Sequence, residues 1–326
     1  MSSLRQTFAQ LSFTVAVLAF AASGYFFPAL YQWEGNGWQP RQAIAPLVQV
    51  IMFGMGVSLT FADFGRVLKM PRTVLIGVLC QFIFMPLLAY GSVRLFGLQT
   101  EVAAGLILIG SCPGGVASNV IAYIAGANVP LSVTMTACST ICSPILTPLA
   151  MLLLAGEYVP LEILPMAWSI FQMILLPVLL GLLANQYASR WVRQVKLVMP
   201  VVAMLGICLI VAITIALARD DIRSVGLTLF LAVLCQNGVA YAVGYWSARC
   251  LGVGEIECRT IALEVGIQNG GMATGLAINV LHSPVIALGS AVYGPWSAIT
   301  SSILATYWRS QTVSEEAPPL PTSPQA

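Results

Sequence analysis

Long apolar runs alternate with short polar connections along almost the whole chain. About 20 consecutive apolar residues cross the hydrocarbon of a bilayer as a helix. Ten stretches reach that length, at roughly 11–30, 43–61, 73–93, 102–125, 130–155, 163–184, 198–218, 225–248, 260–281 and 284–308. The pattern predicts an all-α polytopic membrane protein with ten transmembrane helices. The end of the chain, SQTVSEEAPPLPTSPQA, is polar and rich in proline, and is expected to be disordered. Arg5 followed by an apolar run and Ala19-Phe20-Ala21 imitates a cleavable leader. The run continues through Leu30, beyond the usual length of a leader's apolar core, so a retained first span is expected.

Composition agrees with this pattern. Of 326 residues, 58% are hydrophobic and 8% charged, against about 25% charged in a soluble domain. The net charge of +2 comes without a cluster of Arg or Lys or a base-stacking module, which excludes nucleic acid as a partner. The distribution of cations is more informative. Arg5, Arg66, Lys69, Arg72, Arg190, Arg193, Lys196, Arg249, Arg259 and Arg309 fall on the side of the N-terminus, and Arg41, Arg94, Arg219 and Arg223 on the other. The excess of positive charge places both termini in the cytoplasm.

The two halves of the chain echo each other. Val78-Leu79-Cys80-Gln81 recurs as Val233-Leu234-Cys235-Gln236, and Gly114-Gly115-Val116-Ala117-Ser118 as Gly270-Gly271-Met272-Ala273-Thr274. Pro46 and Pro130 recur at nearly the same offset as Pro200 and Pro284. The offset equals five spans. Five is odd, so the second copy enters the membrane from the opposite face. Two inverted repeats are therefore expected, 1–157 and 158–310, followed by a cytoplasmic tail, 311–326. Inverted repeats are typical of alternating-access carriers.

In such carriers, interrupted spans at corresponding places in the two halves mark the binding site. The fourth span holds Ser111-Cys112-Pro113-Gly114-Gly115, and the ninth holds Gly266-Ile267-Gln268-Asn269-Gly270-Gly271. Proline removes a backbone donor and paired glycines form helix poorly, so both spans are expected to break. The ninth also carries Glu264, whereas the other acidic and basic residues lie between spans or in the tails. A charge within the bilayer costs roughly 2.5–3.5 kcal/mol or more and by default marks function. Gln81, Ser118, Asn119, Ser132, Thr136 and Gln268 offer further oxygens. Ser132 and Thr136, four apart, share a helix face. Oxygens of this kind suit a hard cation, while half-helix N-termini suit an anion. Close packing of small residues is the plainer account of any single Ser or Thr here, whereas for Glu264 a purely structural hydrogen bond is the lesser reading and a functional charge the favoured one.

Other chemistry is thin. Cys80, Cys112, Cys138, Cys142, Cys208, Cys235, Cys250 and Cys258 lack metal or redox spacing and read as small hydrophobes. His282, beside Ser283-Pro284, reads as a turn residue rather than a proton relay. No metalloprotease motif is present, and Asp220-Asp221 reads as a solvated turn, so no enzymatic activity and no catalytic residue are expected. No repeated ring of pore-lining charge suggests a channel.

The segments CPGGVASNVIAYIAGANVPLSV (112–133) and EVGIQNGG (264–271) resemble the bile acid:sodium symporter family. IMFGMGVSL (51–59), QNGVAY (236–241) and LATYW (304–308) extend the resemblance over almost the whole chain. It is closest to bacterial members. The resemblance implies a panel domain of spans one, two, six and seven and a core domain of the others, with spans four and nine crossing as discontinuous helices. It implies two sodium ions as coupling ions and no other cofactor. One sodium site would comprise Ser118, Asn119, Ser132, Thr136 and Glu264. The other would comprise Gln81, Glu264 and Gln268 with the carbonyls of Val265 and Ile267. It implies sodium-coupled symport, in a bacterial plasma membrane, of an organic anion, bile acid-like or a small carboxylate such as pantoate or a keto acid. The anion would lie near Val116, Ala117, Asn269, Gly270, Trp296 and Ser297. Close bacterial relatives often carry Trp-His-Asn in span ten, where this chain has Trp296-Ser297-Ala298, so the substrate itself is left open. The oligomeric state is open too, a monomer being sufficient. The competing reading is a proton-coupled carrier or a sodium/proton antiporter of similar design, in which Glu264 titrates. Antiporters of that kind usually place two acids at the crossing, and this chain has one.

Overall fold

The computed structural model describes residues 15–35, 37–67, 69–98 and 100–311, apart from the side chains at 189–191 and 193. Arg5, positions 11–14 of the first expected span and positions 312–326 of the expected tail lie outside the described residues. The regular structure among the described residues is helical, with two isolated β-bridges, Gly35–Trp38 and Gly114–Gln268. The main helices are α1 (Val15–Phe26), α2 (Ile44–Ser58), α3 (Pro71–Phe96), α4 (Thr100–Ser111), α5 (Ala117–Ala125) and α6 (Val129–Ala155). They continue with α7 (Ile163–Tyr187), α8 (Ser189–Leu217), α9 (Arg219–Cys250), α10 (Glu255–Gly266), α11 (Gly270–Asn279) and α12 (Pro284–Ser310).

Five of these, namely α3, α6, α7, α9 and the Gln194–Leu217 part of α8, are long and apolar enough to cross a membrane. Three of the five remaining expected spans depart from that form for visible reasons, while the described parts of the first two are the shorter helices α1 and α2. The stretch 102–125 is split into α4 and α5, and 260–281 into α10 and α11. Each half has 9 to 12 residues, too few to cross alone. Helix α12 is unbroken over 27 residues, but Ser290, Ser297 and Ser301 on its inner face dilute its apolar character.

Proline shapes the long helices without ending them. Turns of π-helix at Cys80–Phe84 and Phe171–Leu175 come just before Pro86 and Pro177. A widened turn accommodates the missing N–H and the ring clash with the preceding carbonyl. In α6, Pro144 leaves the Thr140 carbonyl without its helical donor, and the Ser143 hydroxyl donates to that carbonyl instead at 2.8 Å.

The helices pack in two groups. Helix α2 packs on α7 and α8, and α1 lies against α8 so closely that a Cβ on Gly24 would meet the Ala212 carbonyl. In the other group α4 packs on α3, α6 and α12, while α9 packs on α3, α10 and α12. Contacts α6–α7, α2–α11 and α8–α12 join the groups. Large apolar side chains such as Leu75, Leu87, Leu95, Leu153, Leu164, Leu227 and Ile303 face outward, whereas Gln81, Ser118, Thr136, Asn237, Glu264 and Gln268 are buried. Apolar outside and polar inside is the arrangement expected of a chain whose solvent is lipid. His282 sits in the turn between α11 and α12 with φ 52°.

Candidate functional site

The two helix breaks meet. Helix α4 ends before Cys112-Pro113-Gly114-Gly115-Val116, and α10 ends before Ile267-Gln268-Asn269. A broken helix leaves backbone groups without intrahelical partners, and here each break supplies partners to the other. Gly115 N–H donates to the Ile267 carbonyl at 2.8 Å, and Asn269 N–H donates to the Pro113 carbonyl at 3.0 Å. An antiparallel bridge joins Gly114 to Gln268. Gly114 is required by approach rather than by φ: a Cβ there would lie 2.3 Å from Glu264 Oε1.

Glu264 is 1% exposed and sits on the last turns of α10. Its Oε2 accepts from Ser132 Oγ at 2.9 Å, and its Oε1 accepts from the Thr136 hydroxyl. Ser132 and Thr136 come from successive turns of one face of α6, as their spacing predicts. Ser132 Oγ also lies 2.9 Å from Asn119 Oδ1 and 3.4 Å from Ser118 Oγ, and Ser118 Oγ is 3.4 Å from Thr136 Oγ1. One hydroxyl carries one proton, so Ser132 cannot donate to both Asn119 and Glu264. The cluster therefore holds more acceptor capacity than protons, a deficit that either a cation or one added proton would balance. The donors are oxygens with a single carboxylate. An all-oxygen set suits a hard cation better than a soft transition metal, and among the described residues no group of three or more His, Cys, Asp or Glu is placed to hold a metal ion.

A second set adjoins Glu264. Gln81 lies within the π turn of α3 and donates through Nε2 to the Cys112 carbonyl at 2.8 Å and to Gln268 Oε1 at 2.6 Å. Gln268 Nε2 donates to the Val265 carbonyl at 2.6 Å. Gln81, Gln268 and the carbonyls of Val265 and Ile267 thus gather around one loop, with Ile267 further held by Gly115. Each carbonyl has two lone pairs, so these bonds leave acceptor capacity free.

The residues expected near an anion divide. Val116 and Ala117 open α5, whose first turn has no side-chain cap. Asn269 and Gly270 open α11, where Asn269 Oδ1 accepts from Met272 N–H at 3.0 Å. These two N-termini flank the meeting of the breaks. Trp296 and Ser297 lie on α12 where it packs on α9. The Trp296 ring stands edge-on to Phe230 with centroids 5.1 Å apart, and the Ser297 hydroxyl donates to the carbonyl of Gly294 in its own helix at 2.9 Å.

Sequence reasoning passed over several buried or half-buried polar residues that touch this region. Asn237 and Tyr293 both donate to the Gly266 carbonyl, at 2.9 and 3.0 Å. Asn128 ties the start of α6 to α10, its N–H donating to Thr260 Oγ1 at 2.9 Å and its Nδ2 to Glu257 Oε1 at 3.0 Å. A polar residue within an apolar run was the available signal, and it did not separate these positions from the many Ser and Thr that only pack.

The profile of the Sodium Bile acid symporter family matches residues 45–225. The chain is 36% identical over 310 residues to the uncharacterized sodium-dependent transporter YocS of Bacillus subtilis, covering 95% of this chain and 94% of that one. It is 37% identical over 286 residues to the probable sodium/metabolite cotransporter BASS1, chloroplastic, of Arabidopsis thaliana, covering 88% and 70%. To the probable chloroplastic cotransporter BASS2 of Oryza sativa subsp. japonica it is 38% identical over 261 residues, covering 80% of this chain and 62% of the relative. These relatives are named as transporters and cotransporters, not as enzymes. A buried carboxylate in an oxygen cage at two joined helix breaks, inside a bundle of apolar helices, stands beside matches that span nearly the whole sequence: the chain belongs to the sodium bile acid symporter family, a family of sodium-dependent membrane transporters.

Proposed function

We propose that this protein is a symporter that couples the inward movement of sodium to uptake of a small organic anion by alternating access. The observation that carries this reading is the acceptor-rich cage at Glu264, built where the two helix breaks join. Ser118, Asn119, Ser132, Thr136 and Glu264 form one sodium site. Gln81, Glu264, Gln268 and the carbonyls of Val265 and Ile267 form the other. Two sodium ions against one carboxylate leave net positive charge in a medium of low dielectric, which favours an anion beside it. The N-termini of α5 and α11, at Val116–Ala117 and Asn269–Gly270, add N–H groups and the positive ends of helix dipoles. The substrate class is a carboxylate, small or bile acid-like. Sodium orders the joined breaks and so completes the anion site, which is thermodynamic coupling between two ligands.

The architecture belongs to the same proposal. Ten spans form two inverted repeats, 1–157 and 158–310, with both termini cytoplasmic in a bacterial plasma membrane. Spans one, two, six and seven form a panel and the others a core that moves against it. The separate packing of α1, α2, α7 and α8 supports this division.

The test is uptake of labelled carboxylates into proteoliposomes under an inward sodium gradient. Uptake is expected to rise with sodium in the parent and to lose that dependence in Glu264→Gln. Uptake that ignores sodium but follows a pH gradient would replace this reading with a proton-coupled one.

A further inference from the structure

A buried relay of hydrogen bonds lies behind the α10–α11 break. Gly266 is the last residue of α10, and the last carbonyls of a helix have no intrahelical partner. The Gly266 carbonyl instead accepts from Asn237 Nδ2 of α9 at 2.9 Å and from Tyr293 Oη of α12 at 3.0 Å. Asn237 Nδ2 also donates to Tyr293 Oη at 3.1 Å, and Asn237 Oδ1 accepts from Thr300 Oγ1 at 2.7 Å. Tyr241 Oη lies 3.3 Å from the Ser297 carbonyl and 3.2 Å from Thr300 Oγ1. Its ring covers Gly266 so closely that a Cβ there would sit 2.1 Å from Cε1. Asn237 and Tyr293 are completely buried. Every polar atom of the Asn237 side chain has a partner, so the relay has a defined geometry.

Its position gives it a consequence. Ile267 is extended, with φ −109° and ψ 108°. Along an extended stretch successive groups point to opposite sides. Holding the Gly266 carbonyl toward α9 and α12 therefore turns the Ile267 carbonyl the other way, onto Gly115 and the loop of the second oxygen set. Thr300 Oγ1 in turn lies within 3.3 Å of the Trp296 and Ser297 carbonyls.

We propose that Asn237, Tyr293 and Thr300 are positioning residues that fix the angle of the α10–α11 loop and link cation occupancy there to the Tyr293–Thr300 segment of α12. They touch neither cation nor anion and act through the Gly266 peptide. The proposal rests on the sodium-coupled reading above and adds to it a route between the cation loop and α12.

The test is a sodium titration of the purified full-length protein, read as the rise in melting temperature with sodium alone at constant ionic strength. Tyr293→Phe and Thr300→Val keep side-chain shape and each remove one hydroxyl. Each is expected to raise the half-saturating sodium concentration about fivefold, the effect of one buried hydrogen bond. Thr300→Ser keeps the hydroxyl and is expected to stay within about twofold of the parent. A fall in the sodium-free melting temperature with an unchanged sodium midpoint would show a merely structural role and overturn the relay. Should Tyr293→Phe fail to fold, the Thr300 pair decides alone: equal midpoints in Thr300→Val and Thr300→Ser reject the proposal. A parent without sodium response sinks the relay and the sodium-coupled reading together. A parent response abolished by Glu264→Gln but untouched by the relay variants sinks the relay only.

Discussion

Single residues show how tightly the joined breaks are built. Gly114 leaves room for Glu264 and nothing more, since a Cβ would lie 2.3 Å from Oε1 and 3.0 Å from the carboxyl carbon. Gly114→Ala is therefore expected to displace the carboxylate and to abolish sodium-induced stabilisation. Gly238, inside α9, has nothing within 4 Å of its added Cβ. Gly238→Ala is expected to leave the sodium response intact and to raise stability by about 0.5–1 kcal/mol, as for a helical glycine. Parallel sodium titrations of the two variants decide the matter, and similar responses would contradict the account. The repeat partners Gln81 and Gln236 differ in the same way. Gln81 is engaged at the breaks, whereas neither amide atom of buried Gln236 has a partner among the described residues. An unpaired buried amide group costs about 1–3 kcal/mol. Gln236→Met is expected to melt no lower than the parent, and a clear drop in melting temperature would mean that the amide is used. Glu264 was legible in the sequence because a charge in an apolar run is rare and costly. Asn237, Tyr293 and Thr300 were not, because one amide or hydroxyl in a membrane helix carries no mark that separates positioning from packing.

At the scale of elements, the breaks were predictable from local chemistry and their meeting from the repeat and the resemblance, but the hydrogen bonds that join them were not. Pro113 with two glycines cannot continue a helix, and Gly266 with Gly270-Gly271 forms one poorly, so both interruptions follow from local chemistry. The hydrogen bonds Gly115–Ile267 and Asn269–Pro113 join residues more than 150 positions apart, which local propensity does not encode. Helices α4, α5, α10 and α11 do not rank with the five long apolar helices because the apolar runs that hold them break near their middle, leaving each half too short to cross alone. Asn269 caps α11 through Met272 N–H, and loss of such a cap costs about 1 kcal/mol. Asn269→Ala is expected to loosen that N-terminus and to weaken anion binding more than sodium binding. Separate titrations with sodium alone, and with anion at saturating sodium, measure the two. A sodium effect larger than the anion effect would contradict this placement.

The whole molecule is organised by the contrast between an apolar exterior and a polar interior. That contrast was visible in the alternation of apolar runs and sparse charge. The two-group packing was not legible in the runs themselves, because every run reads as equally apolar whether it faces lipid or another helix; only the family resemblance implied it. The proposed orientation makes a direct prediction. Cys250, exposed at the end of α9, belongs to the cytoplasmic face, and Asp221, near the start of the same helix, to the opposite one. In inside-out vesicles a membrane-impermeant thiol reagent is expected to label Cys250 but not Asp221→Cys, each as the sole cysteine. The reverse pattern would invert the topology. The central claim is that the cage at Glu264 binds sodium, and it is tested most directly by the melting temperature of the purified protein in sodium, potassium and choline chloride. Binding to the folded state alone adds about 2.7 kcal/mol at a concentration about 100 times Kd. The account predicts that sodium raises the melting temperature of the parent above that in the other two salts, and that Glu264→Gln removes the difference. Equal melting temperatures of the parent in all three salts, or a sodium-specific rise that survives Glu264→Gln, would contradict it.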